Sequence, residues 1–221
     1  MKPITRTYDV EKYPFRKYLE DIFECNDLKN IHLYRKDLFP NYKLVFENES
    51  KTEYHTTFYD IINNNAPKFH KTYDNFIINE IKPIIEEDFI VQYQPSFRVH
   101  LPNNQCIHKW HYDSDSDHHH PDGEINFHLA ITDTFNTNAL WVESEPAKKD
   151  YKPMELKSNE YVQFNGNKCT HGNKINTTGF TRISFDFRIL PRKLYDKRNT
   201  LTSLTSNSKF VIGSYYKEYL K

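Results

Sequence analysis

The sequence predicts a mainly antiparallel β fold behind a helical N-terminal layer, in one domain. Three observations predict it. Helix-type spacing of apolar residues is confined to the first 95 residues. From residue 89 onward the apolar period changes to two. Turn-type residues, with no helical pattern of crossover length, separate the alternating runs, so neighbouring strands should be antiparallel. A chain of 221 residues is long enough to bury a sizeable core.

The clearest helix is residues 67–86, PKFHKTYDNFIINEIKPIIE. Phe69, Tyr73, Phe76, Ile77, Ile81, Ile84 and Ile85 recur at three- and four-residue steps and form one stripe. Pro83 should kink or end it early. The alternating runs are FIVQYQ (89–94), SFRVHL (96–101), INFHLAIT (125–132), NALWVESE (138–145), MELK (154–157), YVQF (161–164) and RISFDFRI (182–189). Short strands at this spacing imply a sandwich, barrel or jelly roll. The chain thus divides into a helical layer (1–95), a β core (96–190) and a polar tail (191–221). The tail's aromatic end, FVIGSYYKEYL, reads as a docking helix.

Composition excludes several functions. Lys+Arg and Asp+Glu both number 30, so a net charge of zero offers no field for nucleic acid or anionic membranes. No stretch approaches the roughly 18 apolar residues of a membrane span, and MKPITRTYDVEKYPF has no apolar signal region. Cys25, Cys106 and Cys169 lack CxxC spacing and form neither a zinc ribbon nor a disulfide framework. A reducing, cytoplasmic setting is expected, which also suits a ferrous ion.

Chemistry concentrates in HKWHYDSDSDHHHPDGEINFH (108–128), with 6 histidines and 5 acidic residues in 21 positions. His111 and Asp113 are two apart, so on a strand both point to one face. HxD alone is a weak signal. His171, in CTHGN just after the YVQF strand, offers a third donor. Two imidazoles and a carboxylate make the facial set that holds ferrous iron and leaves positions open. Eleven residues after His171, RIS begins the last alternating run. Arg182 and Ser184 share a face opposite Ile183 and Phe185. A buried guanidinium requires an anion, and its fork beside a hydroxyl suits a carboxylate.

HxD…H followed by RxS resembles the Fe(II)- and 2-oxoglutarate-dependent oxygenases. Within that superfamily, HxD, GEINF, LWVES, HGN and the final RISFDFR together resemble the streptomycin-biosynthesis-type, phytanoyl-hydroxylase-like oxygenases, over roughly residues 96–190. The resemblance implies a double-stranded β-helix, a cupin-like jelly roll. It implies Fe(II) on His111, Asp113 and His171, and the C5 carboxylate of 2-oxoglutarate on Arg182 and Ser184. Asn126 would contact 2-oxoglutarate or orient a metal ligand. O2 and 2-oxoglutarate would be consumed, succinate and CO2 released, and a small polar metabolite hydroxylated. Halogenating relatives carry a small residue in place of the carboxylate, so Asp113 implies hydroxylation or another oxidative outcome rather than halogenation. The alternatives are a jelly-roll protein that binds metal or ligand without turnover, and a cupin-type metalloenzyme that does not use 2-oxoglutarate.

Other residues carry weaker expectations. His108 would face away from His111. His118, His119 and His120 lie in a loop composition, either solvated, or a lid with His118 reaching substrate, or a second, zinc-like site. Asn126 and His128 oppose the apolar face of INFHLAIT and would point into the jelly roll. Trp141 is read as core, with pocket wall as the alternative. Arg98 and His100 share a face and could line the pocket mouth or pair with acids such as Asp186. Arg188 shares the Arg182 face and could compete for the cosubstrate or bind an anionic substrate. Cys169 is read as a small buried hydrophobe.

Overall fold

The computed structural model describes residues 3–38, 52–106 and 109–218; His108 lies outside them. The helical layer comprises α1 (Phe15–Ile22), α2 (Ile31–Tyr34), α3 (Glu53–Asn65) and α4 (Pro67–Phe76). Proline opens α4 at a position where a missing N–H costs nothing. The helical path continues as a π turn, Ile77–Ile81, and a 3-10 turn, Lys82–Ile84. Pro83 explains the change. It has no N–H to donate, and its ring excludes the carbonyl four residues back. The expected stripe is buried from Phe69 to Ile81, with Ile84 and Ile85 packed at its margin.

The described residues form ten strands, in chain order β1 (Ile4–Thr7), β2 (Phe89–Gln92), β3 (Ser96–His100), β4 (Ile125–Ala130), β5 (Leu140–Val142), β6 (Lys152–Met154), β7 (Glu160–Phe164), β8 (His171–Gly172), β9 (Arg182–Pro191) and β10 (Tyr216–Lys217). The main sheet runs β1-β7-β4-β9-β2-β10, with β3 also on β9; the smaller sheet runs β6-β5-β8. All the pairings are antiparallel. The two sheets form the expected jelly roll. Strands β1 and β2 come from the first 95 residues and β10 from the tail, so all three segments of the chain share one sheet. MELK is displaced from expectation: β6 precedes it, and Leu156 pairs only as a bridge to Thr134.

The period of two in β9 decides where the site lies. Ile183, Phe185, Phe187 and Ile189 face the helices, where the Phe185 ring lies 5.9 Å from Phe15 and 5.7 Å from Phe69. Each such aromatic pair adds about 0.5–1.5 kcal/mol beyond its buried area. Arg182, Ser184, Asp186 and Arg188 consequently point into the jelly roll. Strands β2 and β3 both pair with β9, at Val91↔Ile189 and Ser96↔Asp186. Residues 93–95 between them bow away from the sheet.

Over its described residues, which end at 218, the tail does not form a docking helix; Tyr219 and Leu220 lie outside them. Gly213 sits at φ 84°, which ends any helical path there. The chain instead turns back so that Tyr216 pairs with Gln92. Phe210, Tyr215 and Tyr216 pack on Ile90 and Leu190. All three cysteines are buried. Among the described residues, no helix is long and apolar enough to cross a membrane.

Candidate metal centre

His111 and His171 form an antiparallel bridge, with His111 N–H donating to the His171 carbonyl at 3.0 Å and His171 N–H to the His111 carbonyl at 2.8 Å. A directly opposed pair puts both side chains on one face, and the ring centroids are 4.6 Å apart. Each Nδ1 lies against a backbone carbonyl two residues back, Lys109 at 2.9 Å and Cys169 at 3.0 Å. A carbonyl only accepts, so each Nδ1 carries the proton and each Nε2 presents its lone pair. Both Nε2 atoms lie 3.6 Å from Asp113 Oδ1. Three donors thus converge, within 4.8 Å of one another, as the sequence expects.

The other oxygen of Asp113 is occupied. Arg188 Nε and Asn126 Nδ2 each donate to Oδ2 at 2.6 Å. Burial alone would push the Asp113 carboxyl up, but Arg188, with His111, His120 and His171, holds it well below the usual carboxylate range. Arg188 is further held by Gln92 Oε1 at 3.5 Å and the Tyr215 hydroxyl at 3.3 Å. Its guanidinium is thus engaged by Asp113 and its supports, while the sequence left it open as a binder of cosubstrate or anionic substrate. Asn126 does point inward and orients Asp113; its Oδ1 is buried without a partner.

Arg182 is 1 % exposed. Its Nη1 donates to Ser184 Oγ at 3.0 Å, while Nε and Nη2 are buried with no hydrogen-bond partner. Buried donors left unmade cost about 1–3 kcal/mol each, so this guanidinium is built for an anion that would meet them. Between Arg182 and Arg188, Asp186 accepts from Arg98 Nε at 3.0 Å and His128 Nδ1 at 2.6 Å. Burial works against its ionisation, but His128 and Arg98 hold the Asp186 carboxyl down. The Arg98–Asp186 pair is one the sequence anticipates.

The three consecutive histidines separate, so they form no shared site. His118 stacks on His111, with centroids 3.9 Å apart and planes 13° from parallel. His119 is exposed at φ 59°. His120 Nδ1 lies 2.7 Å from Glu124 Oε2, and Tyr216 donates to the other oxygen of Glu124. Asp113, His120 and Glu124 also lie close enough to share an ion, but Arg188 and Tyr216 already engage their oxygens. Trp141 is not core: it is half-exposed, with Lys174 Nζ 3.4 Å from its ring centroid.

Two neighbours fix the His171 segment. The Glu143 carboxylate accepts the backbone N–H groups of Thr170 at 2.6 Å, Lys149 at 2.9 Å and Ala147 at 3.1 Å. Gly172 lies so close to Trp110 that a Cβ would fall 2.7 Å from its Cδ2. Gly172→Ala should therefore cost about 1–3 kcal/mol in thermal unfolding, because an overpacked site must shift. Burial, followed by the charge of His111, lowers the His171 pKa from 6.5 to about 4. Stability from the neutral ring is complete above pH 6.5 and lost as pH falls towards 4. Metal-free protein should show that loss in urea midpoints, and His171→Gln should flatten it.

Comparison with known proteins places these features in context. No family model matches the chain. It is 28% identical over 209 residues to the streptomycin biosynthesis protein StrG of Streptomyces griseus, covering 95% of this chain and 94% of that protein. Among solved structures it is similar to CytC3, with a TM-score of 0.51 and 15% identity over 91% of this chain and 78% of that one. EctD from S. alaskensis with bound Fe aligns with a TM-score of 0.49 and 12% identity, over 87% and 73% of the two chains. The similarity to StrG spans nearly the whole chain, beyond residues 96–190. The likeness to CytC3 is one of fold.

Proposed function

We propose that this chain is an Fe(II)- and 2-oxoglutarate-dependent oxygenase that hydroxylates a small polar metabolite. One observation carries the reading. Inside a single jelly roll, two imidazole nitrogens and a carboxylate oxygen converge, and a buried guanidinium on β9 has two donors unused. Two neutral nitrogens with one carboxylate suit ferrous iron and leave coordination positions open. When bound, iron with 2-oxoglutarate and O2 supplies decarboxylation of the cosubstrate to succinate and CO2, coupled to oxidation of a substrate C–H bond.

The chain's own residues do the positioning. His111, Asp113 and His171 hold the metal. Arg188 and Asn126 keep Asp113 turned so that Oδ1 alone faces the imidazoles. Arg182 and Ser184 receive the C5 carboxylate, which meets the two unused donors. His118, flat against His111, keeps water from that ring. The Asp113 carboxylate fills the place a halide would need, which favours hydroxylation. Zero net charge and the likeness to a streptomycin biosynthesis protein support a secondary metabolite over a nucleic acid as substrate. A reducing compartment fits three buried cysteines without disulfide-framework spacing.

The test is succinate formation by the purified protein with Fe(II) and 2-oxoglutarate. Slow, iron-dependent succinate release without substrate is expected, accelerated by a metabolite extract. No iron-dependent 2-oxoglutarate binding and no succinate would reject the reading. Binding without any succinate would favour a non-catalytic metal-binding protein.

A further inference from the structure

We propose that the cavity between α3, the 93–95 bow and the C-terminal tail seats the substrate and selects an uncharged, polyhydroxylated molecule. This rests on the oxygenase reading for the reaction, but the cavity itself is argued from its walls. Its volume is about 440 Å³, within the range of small-molecule sites, about 300–1,000 Å³.

Its position ties it to the metal centre. Arg98 lines both this cavity and the smaller one bounded by His111, His171 and Arg188. Gln92 and Tyr215 also line it, and both bond to Arg188, whose Nε holds Asp113. A molecule seated here lies against the residues that hold Arg188 on Asp113, with Arg98 at the boundary.

The lining chemistry sets the class. Thr205, Ser206, Ser208 and Ser214 contribute hydroxyls, and Asn63 and Gln94 contribute amides. Each such group both donates and accepts, as a neutral hydroxyl ligand needs. The Tyr59 and Tyr93 side chains offer aromatic surface to the C–H faces of a ring. Among the described lining residues there is no carboxylate and no lysine, and the one histidine, His55, is buried with its Nδ1 2.8 Å from Thr52 Oγ1. The Arg98 guanidinium is already paired with Asp186. A cationic or anionic ligand would lose its hydration here without gaining a counter-charge, at a cost that neutral hydroxyls avoid.

Calorimetric titration of metal-free protein tests this independently of turnover. The probes are myo-inositol and sucrose as neutral polyols, glucosamine as a cation and glucuronate as an anion. At least one neutral probe should bind more tightly than both charged ones. Ser206→Trp, at an exposed wall position outside the metal centre, should weaken that binding by about tenfold or more and leave the urea midpoint of the metal-free protein unchanged. Asn63→Trp, on an exposed part of α3, serves the same purpose should Ser206→Trp fail to fold. The proposal is overturned if a charged probe binds as well as the neutral ones, if none of the four binds, or if the blocked variant binds like the parent. Neutral binding that is lost in the blocked variant, with no iron-dependent succinate, would keep the cavity assignment and remove the oxygenase reading.

Discussion

Asp113→Ala is expected to abolish Fe(II) binding and to destabilise the metal-free fold by about 3–5 kcal/mol. Both effects come from one side chain because its two oxygens have different work. Oδ1 faces the two imidazoles at 3.6 Å, and Oδ2 accepts from Arg188 and Asn126 at 2.6 Å. Truncation removes a donor from the metal set and leaves the guanidinium of Arg188 buried without its ion-pair partner. Metal titration and urea unfolding read the two effects separately. The double variant Asp113→Ala/Arg188→Met should recover most of the lost stability and none of the metal binding, since it deletes the stranded charge. An Asp113→Ala protein as stable as the parent would mean that the buried ion pair does not hold this end of β9.

Arg182→Met should behave in the opposite way. The parent side chain is buried with Nε and Nη2 unsatisfied, so replacing it with an apolar chain of similar length should leave the metal-free fold as stable or make it more so. Iron-dependent 2-oxoglutarate binding should weaken by about 10²–10³-fold, in line with the roughly 2–5 kcal/mol of a buried, hydrogen-bonded charge contact. Fe(II) binding alone should be unchanged. If cosubstrate binding survives Arg182→Met but is lost in Arg188→Met with the metal still held, Arg188 and not Arg182 holds the cosubstrate.

Strand periodicity made much of this legible in advance. A period of two places Arg182, Ser184, Asp186 and Arg188 on one face of β9 and the apolar residues on the other, before any fold is known. HxD put His111 and Asp113 on one side of the chain, and Pro83 marked the end of the long helix. These are local consequences of backbone geometry. The exact strand ends, the two-residue β8 and the tail were not legible, because pairing partners far away in the chain set them. Trp141 looked like core by type, yet alternation turned it outward, where Lys174 covers it.

By itself, the sequence determined the fold class and the shared facing of Arg182 and Ser184 on the last strand, since side-chain direction along a strand follows from residue parity; it named His111, Asp113 and His171 as candidate donors, and the long-range bridge between His111 and His171 brings them together. Only the tertiary structure decided that Arg188 serves Asp113 while Arg182 keeps donors to spare. Both arginines sit on the same face with the same chemistry. Their difference arises from which carboxylate the packing of other segments brings within hydrogen-bond reach, and no local spacing encodes that.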